Sequence, residues 1–200
     1  KNLNNYISDK KLIFFLSIAG LGCCVAMSMP QVHLVSYCVD LGYGAMAGSQ
    51  MLSLMLFGGT LSRLLFGFIT DKIGGLKTLF IGSSLQCFAL FFYIPFDGLI
   101  SLYIVSLIFG LSQGGIIPSY AIIIREYTTS KEVGTKIGFV IMITIFGMAL
   151  GGWMSGKIFD LFESYHIAFL NGILWNLINI SIVIYLLILF SEKIKTKILR

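Results

Sequence analysis

The sequence predicts an all-α membrane protein built from six transmembrane helices. Three observations carry this: the composition, the blocking of apolar residues into long runs, and the lopsided placement of the basic residues. Of 200 residues, 57% are hydrophobic and only 12% are charged, with a mean hydropathy of +0.93. A soluble domain carries about 25% charged residues. The apolar residues lie in runs and do not alternate with polar ones, as a bilayer span requires and a soluble fold does not.

The elements follow in order. Residues 1–11 form a polar arm, read as the cytoplasmic end of a central loop, and 12–190 carry the six spans. The first, 12–38, contains Pro30 and ends before the turn Asp40-Leu41-Gly42. The second, 46–70, closes on the charged stretch from Asp71 to Lys77, and the third is 77–94. Pro95-Phe96-Asp97-Gly98 separates it from the fourth, 99–124. The charged stretch from Arg125 to Lys136 leads into the fifth, 134–159, and Asp160 to His166 into the sixth, 168–190. Residues 191–200 form a basic tail. Each run approaches or exceeds the roughly 20 residues a helix needs to cross the hydrocarbon, and each break carries turn or charge signals.

The net charge of +5 reads as orientation in a bilayer and not as nucleic-acid contact. Twelve Lys and Arg fall in the N-terminal arm, the second–third and fourth–fifth loops, and the tail. The opposite loops hold one, Lys157. The positive-inside rule makes the crowded side cytoplasmic, with both termini inside and the protein multi-pass in a plasma or bacterial inner membrane. The chain begins at Lys1 without an initiator Met, which reads as a piece of a longer polypeptide. Cys23, Cys24, Cys38 and Cys87 lie in or beside apolar runs and read as small apolar filler. Glycines within the spans, such as those of "GMALGGWMSG", read as small-residue packing stripes along which helices approach or slide. No nucleophile–base set, metal-ligand spacing or phosphate loop is present, so neither an enzyme nor a cofactor is expected.

Arg63 is the one basic residue deep inside an apolar run, since Lys77, Lys136 and Lys157 lie at span ends. It lies eight residues before Asp71, about 12 Å along the helix and too deep for easy snorkelling. A central Arg costs about 2.5–3.5 kcal/mol on insertion scales. All nine acidic residues lie at span ends or in loops, so none is an obvious intramembrane partner. Three explanations stand: a water-filled cavity where Arg63 binds an anionic substrate, a carboxylate on another part of the protein, or backbone carbonyls and headgroups. An anion fits best, because a guanidinium stays charged and its planar fork suits a carboxylate. His33, one turn after Pro30, reads either as a packing residue or as a group that holds the anion or exchanges a proton. Gln113 and Tyr120, both in "GLSQGGIIPSY", are further cavity candidates. Asn171, Asn176 and Asn179 read as interhelical hydrogen-bonding residues.

The stretch "GFITDKIGGLK" resembles the G-x-x-x-D-[RK]-x-G motif that major facilitator transporters place between their second and third spans, matched here by Gly67, Asp71, Lys72 and Gly74. On this resemblance Gly67 permits close approach, and Asp71 caps the N-terminus of a neighbouring helix to hold a cytoplasmic gate shut. "PQVHLVSYCVDLG", "SRLLFGFITDKIGG", "IIREYTTSKEVGTKIGF" and "GGWMSGKIFDLFESYHIAFLNG" resemble the C-terminal half of monocarboxylate transporters and of the oxalate/formate antiporter group. The resemblance implies the C-terminal half of a twelve-helix major facilitator fold, with a missing N-terminal six-helix half as partner. It also implies alternating-access transport of small organic anions, above all monocarboxylates, coupled to a proton or a counter-anion, with Arg63 as anion ligand. The family's D-x-x-x-R motif has Gly59 here in place of its Asp. The fifth span lacks the Lys of oxalate antiporters, which favours a singly charged or bulkier anion. Export of neutral or cationic solutes, and a non-transporting six-span protein, remain the alternatives.

Overall fold

A chain with apolar runs of this length satisfies its backbone in lipid by closing every span into helix. The computed structural model describes residues 8–128 and 132–198, with backbone alone for 192–198. Among the described residues seven helices follow one another: α1 (Asp9–Asp40), α2 (Gly44–Ile73), α3 (Gly75–Phe92), α4 (Leu99–Gln113), α5 (Ile116–Tyr127), α6 (Val133–Phe162) and α7 (Tyr165–Ile198). Six stretches of the described residues are long and apolar enough to cross a membrane, with α4 and α5 together, Leu99–Tyr127, making one of them.

One detail departs from the sequence reading. The fourth span is not continuous: it breaks at Gly114-Gly115. Pro118 has no N–H to offer the carbonyl of Gly114, so the helical ladder fails at that point. A second glycine makes the break cheap, and the gap is pressed against α2. A Cβ on Gly114 would lie 2.2 Å from the Gly59 carbonyl oxygen, and one on Gly115 the same distance from the Phe66 ring. Pro30, by contrast, does not end α1, which runs through it fully packed.

Small residues bring the helices together. Along α6, Gly147, Gly151 and Ser155 are buried against α1. A Cβ on Gly147 would come within 2.8 Å of the Leu21 carbonyl oxygen, and one on Gly151 within 2.5 Å of that of Val25. The α2–α4 crossing is tighter still, with Gly110 set directly on the Met55 carbonyl. Van der Waals packing of this kind replaces the hydrophobic drive that lipid removes.

Polar side chains add specific ties. The Asn176 amide donates to the Ser83 carbonyl at 2.9 Å, and the Asn179 amide to Ser83 Oγ at 2.7 Å, fastening α7 to α3. Both asparagines are interhelical, as their positions suggested, while Asn171 Nδ2 has no hydrogen-bond partner among the described residues. At the Lys/Arg-rich end, Lys136 of α6 meets Asp9 of α1 at 2.6 Å and Glu132 at 3.1 Å. Cys23, Cys24 and Cys38 are buried as free thiols.

The link between α2 and α3 is the single residue Gly74, at φ 85° and ψ 162°. Only glycine adopts such a conformation without strain, which accounts for the last glycine of the motif. At the opposite end, α6 stops on Glu163 at φ 51°, the one non-glycine residue with positive φ among the described residues. A left-handed position costs an L-residue about 1 kcal/mol or somewhat more, and glycine is the usual solution at a helix C-terminus. Glu163→Gly is therefore expected to raise the thermal midpoint of the detergent-purified protein, read by a melting scan. A lowered midpoint would mean that the Glu163 side chain contributes more than its backbone costs.

Candidate functional site

The α2 face that carries Arg63 also carries Leu56, Gly59 and Thr60, spaced three or four residues apart so that they share one side of the helix. Across from it, α1 presents Met27 and Gln31, and the end of α4 presents Gln113 and Gly114. Together with Ile117 they line a recess of about 190 Å³. The break at Gly114-Gly115 puts Gln113 at the last position of α4, at the wall of this recess. Gly59 leaves room for its amide: a Cβ there would sit 3.7 Å from Gln113 Nε2.

The polar inventory of the recess is dominated by donors. Gln31 Nε2 donates to Gln113 Oε1 at 2.7 Å, tying α1 to α4. That bond orients the Gln113 amide and leaves its own NH2 group free to donate. Arg63 forms no ion pair among the described residues, whose salt bridges are those of Lys136 and Lys157. The guanidinium of Arg63, exposed on the α2 face, and the Gln113 amide NH2 then line a small recess that no carboxylate lines. Such a space suits a negatively charged, planar group.

Of the four residues singled out for the site, Arg63 and Gln113 come together and the other two do not. His33 lies in the seam between α1 and α6, where Nε2 is 2.9 Å from the Gly152 carbonyl oxygen and therefore donates to it. Gly156 makes space for the ring, since a Cβ there would meet His33 Cε1 at 3.5 Å. Tyr120 is wholly buried inside the bundle, with its hydroxyl donating to Asn179 Oδ1 at 3.1 Å. It belongs to the α5–α7–α3 hydrogen-bond network and not to the recess.

Gln31 is the residue that the sequence reading missed. Its signal was weak but present: an amide at mid-span, directly after the buried Pro30.

The motif also divides. Gly67, expected to permit close approach, has nothing within 4 Å of where its Cβ would stand. Asp71 and Lys72 are exposed. The N-terminus of α3 is capped by another acid: Gly75 N–H donates to the two Glu126 carboxylate oxygens at 3.2 and 3.4 Å. A carboxylate at a helix N-terminus is favourably placed against the helix dipole, so Glu126 locks the end of α5 onto the α2–α3 turn.

Six stretches long and apolar enough to cross a membrane, with a polar recess between α1, α2 and the α4–α5 break, define a polytopic helical membrane protein. Residues 12–198 match the Major Facilitator Superfamily, and the chain belongs to that family. It is 32% identical over 149 residues to Monocarboxylate transporter 10 of Danio rerio, covering 70% of this chain and 28% of that protein. Against Monocarboxylate transporter 13 of Rattus norvegicus it is 24% identical over 143 residues, covering 70% of this chain and 33% of the relative. The chain thus matches about a third of the length of these curated relatives. Among solved structures it is similar to an auto-inhibited POT-family peptide transporter, with a TM-score of 0.74 at 18% identity. That likeness covers 86% of this chain and 36% of the other, and it identifies the six-helix bundle as half of a major facilitator fold.

Proposed function

We propose that this bundle is the C-terminal half of a secondary transporter that moves small monocarboxylates by alternating access. Arg63 takes the substrate carboxylate, and Gln113, oriented by Gln31, offers a further donor. The observation that carries this reading is a guanidinium at mid-membrane depth, unpaired among the described residues, in a donor-rich recess. A cation held there without a resident acid is stabilised by water and by a transient anion, and a monocarboxylate supplies the matching charge and shape. The similarity to proteins named monocarboxylate transporters supports the same substrate class.

On this reading the exposed α2 face, with Arg63, Gly67 and Asp71, turns toward a second six-helix half, and the transport path runs between the two. Gly67 then has its close neighbour, and Asp71 its helix N-terminus, on that other half. A coupled proton or counter-anion completes the cycle.

The test is a competition series on the full-length protein in proteoliposomes. Uptake of labelled lactate is expected to be inhibited by other short monocarboxylates and left untouched by the corresponding primary amides, which keep the shape but lose the charge. Equal inhibition by acids and amides would favour a transporter of neutral solutes instead.

A further inference from the structure

At the end of the bundle opposite the Lys/Arg-rich loops lies a second recess, about 580 Å³ in volume. It is open, and it is built from four separate segments: the end of α1, the α3–α4 link, the end of α6 and the start of α7. Three carboxylates line it, Asp40, Asp97 and Glu163, together with the imidazole of His166, and no Lys or Arg does. The nearest basic residue on α6, Lys157, is already engaged with Asp160 at 3.6 Å. Glu163 reaches this rim from its left-handed backbone position.

The floor is aromatic. Phe159 and Tyr165 stack with centroids 4.2 Å apart, and Tyr37 meets Tyr165 edge-on at 5.2 Å. Tyr37 is only 4% exposed, yet its hydroxyl has no hydrogen-bond partner among the described residues. A buried phenol without a partner loses about 1–3 kcal/mol of solvation, so it is a group in want of a donor or acceptor. It lines the same recess as the three acids.

The combination selects among cations. No trio of His, Cys, Asp and Glu among the described residues stands close enough to chelate a metal ion. Carboxylates spread round a rim over aromatic rings suit a larger, softer cation with an apolar body. The charged head is met by the acids, and the body or the head lies on the ring faces. We propose that this recess binds a small organic ammonium ion, with Asp40, Asp97 and Glu163 holding the charge and the Tyr37 hydroxyl accepting one N–H. The site is separate from the Arg63 recess, and its ligand has the opposite charge.

Titration calorimetry on the purified full-length protein tests this, with 2-phenylethylammonium as probe and 2-phenylethanol as its neutral match. The ammonium is expected to bind saturably at one site, and the alcohol to show no saturable heat. Asp40→Asn should weaken the ammonium at least about tenfold, the loss of one charge-assisted contact. Should that variant melt early, Asp97→Asn, in the exposed α3–α4 link, takes its place with the same expectation. Tyr37→Phe keeps the ring stack and removes only the hydroxyl, so it should weaken binding several-fold without lowering the melting temperature. Heat that sodium chloride at equal ionic strength reproduces, or ammonium affinity unchanged in both Asp40→Asn and Tyr37→Phe, would overturn the site.

Discussion

Uptake of labelled lactate by the full-length protein is expected to fall at least about a hundredfold in Arg63→Ala, with the variant present in the membrane at the wild-type level. Truncating one partner of a desolvated charge pair costs about 2–5 kcal/mol, and about 2.7 kcal/mol is a hundredfold. Protein level and function move apart here for a physical reason. Removing a mid-span guanidinium relieves an insertion cost of about 2.5–3.5 kcal/mol, and among the described residues it leaves no carboxylate orphaned. Arg63→Lys retains the charge but loses the planar fork, so an intermediate loss is expected, expressed mainly as a raised KM. Uptake within about threefold of wild type in the alanine variant would remove Arg63 from the site, given that the lost contact is worth about 2 kcal/mol or more.

Gly110→Ala is expected to be the most damaging single methyl in the bundle. Its Cβ would stand 2.1 Å from the Met55 carbonyl oxygen and 2.9 Å from the carbonyl carbon. The obstacle is backbone, so no rotamer change can yield; α2 and α4 must separate. Overpacking of this kind costs about 1–3 kcal/mol in ordinary cores, and the upper end or beyond is expected where rigid backbone is struck. The measurement is the thermal midpoint together with the amount of folded protein in the membrane. Gly138→Ala is the control, since its Cβ would meet nothing within 4 Å and alanine is the better helix former by about 1 kcal/mol. A normal melt for Gly110→Ala would mean that α2 and α4 sit farther apart than described. The position is one turn before Gln113, so a parted crossing also pulls the recess wall away from Arg63.

Much of the architecture was legible because lipid imposes few and strong rules. Apolar runs of sufficient length marked every span, and the basic loops marked one end of the bundle. The break in the fourth span was not legible, since Gly-Gly in a membrane sequence reads equally as a packing site, and here it is both. Arg63 stood out because an intramembrane charge is expensive wherever it lies. Its neighbour Gln31 did not, because a bond between amides 82 residues apart leaves no trace in local spacing. Tyr120 shows the converse. A tyrosine at mid-span needs a hydroxyl partner, but sequence alone does not say whether that partner is a passing ligand or the Asn179 that holds it. Glu126 lay in a stretch read only as a charged loop, and its role emerged once the α2–α3 turn was seen to end beneath it.

The seam between α1 and α6 has a mechanical consequence. The two helices touch there on nearly bare backbone, so little side-chain interlock resists a shift along their axes. Two ties stitch across that smooth track: the Lys136–Asp9 pair at the Lys/Arg-rich end and, farther along, the bond from His33 Nε2 to the Gly152 carbonyl. A carbonyl accepts from an N–H that is present on neutral and cationic imidazole alike, so this stitch holds whichever charge the ring carries. The two helices are thus pinned at two heights along a smooth contact, an arrangement suited to their travelling as one body.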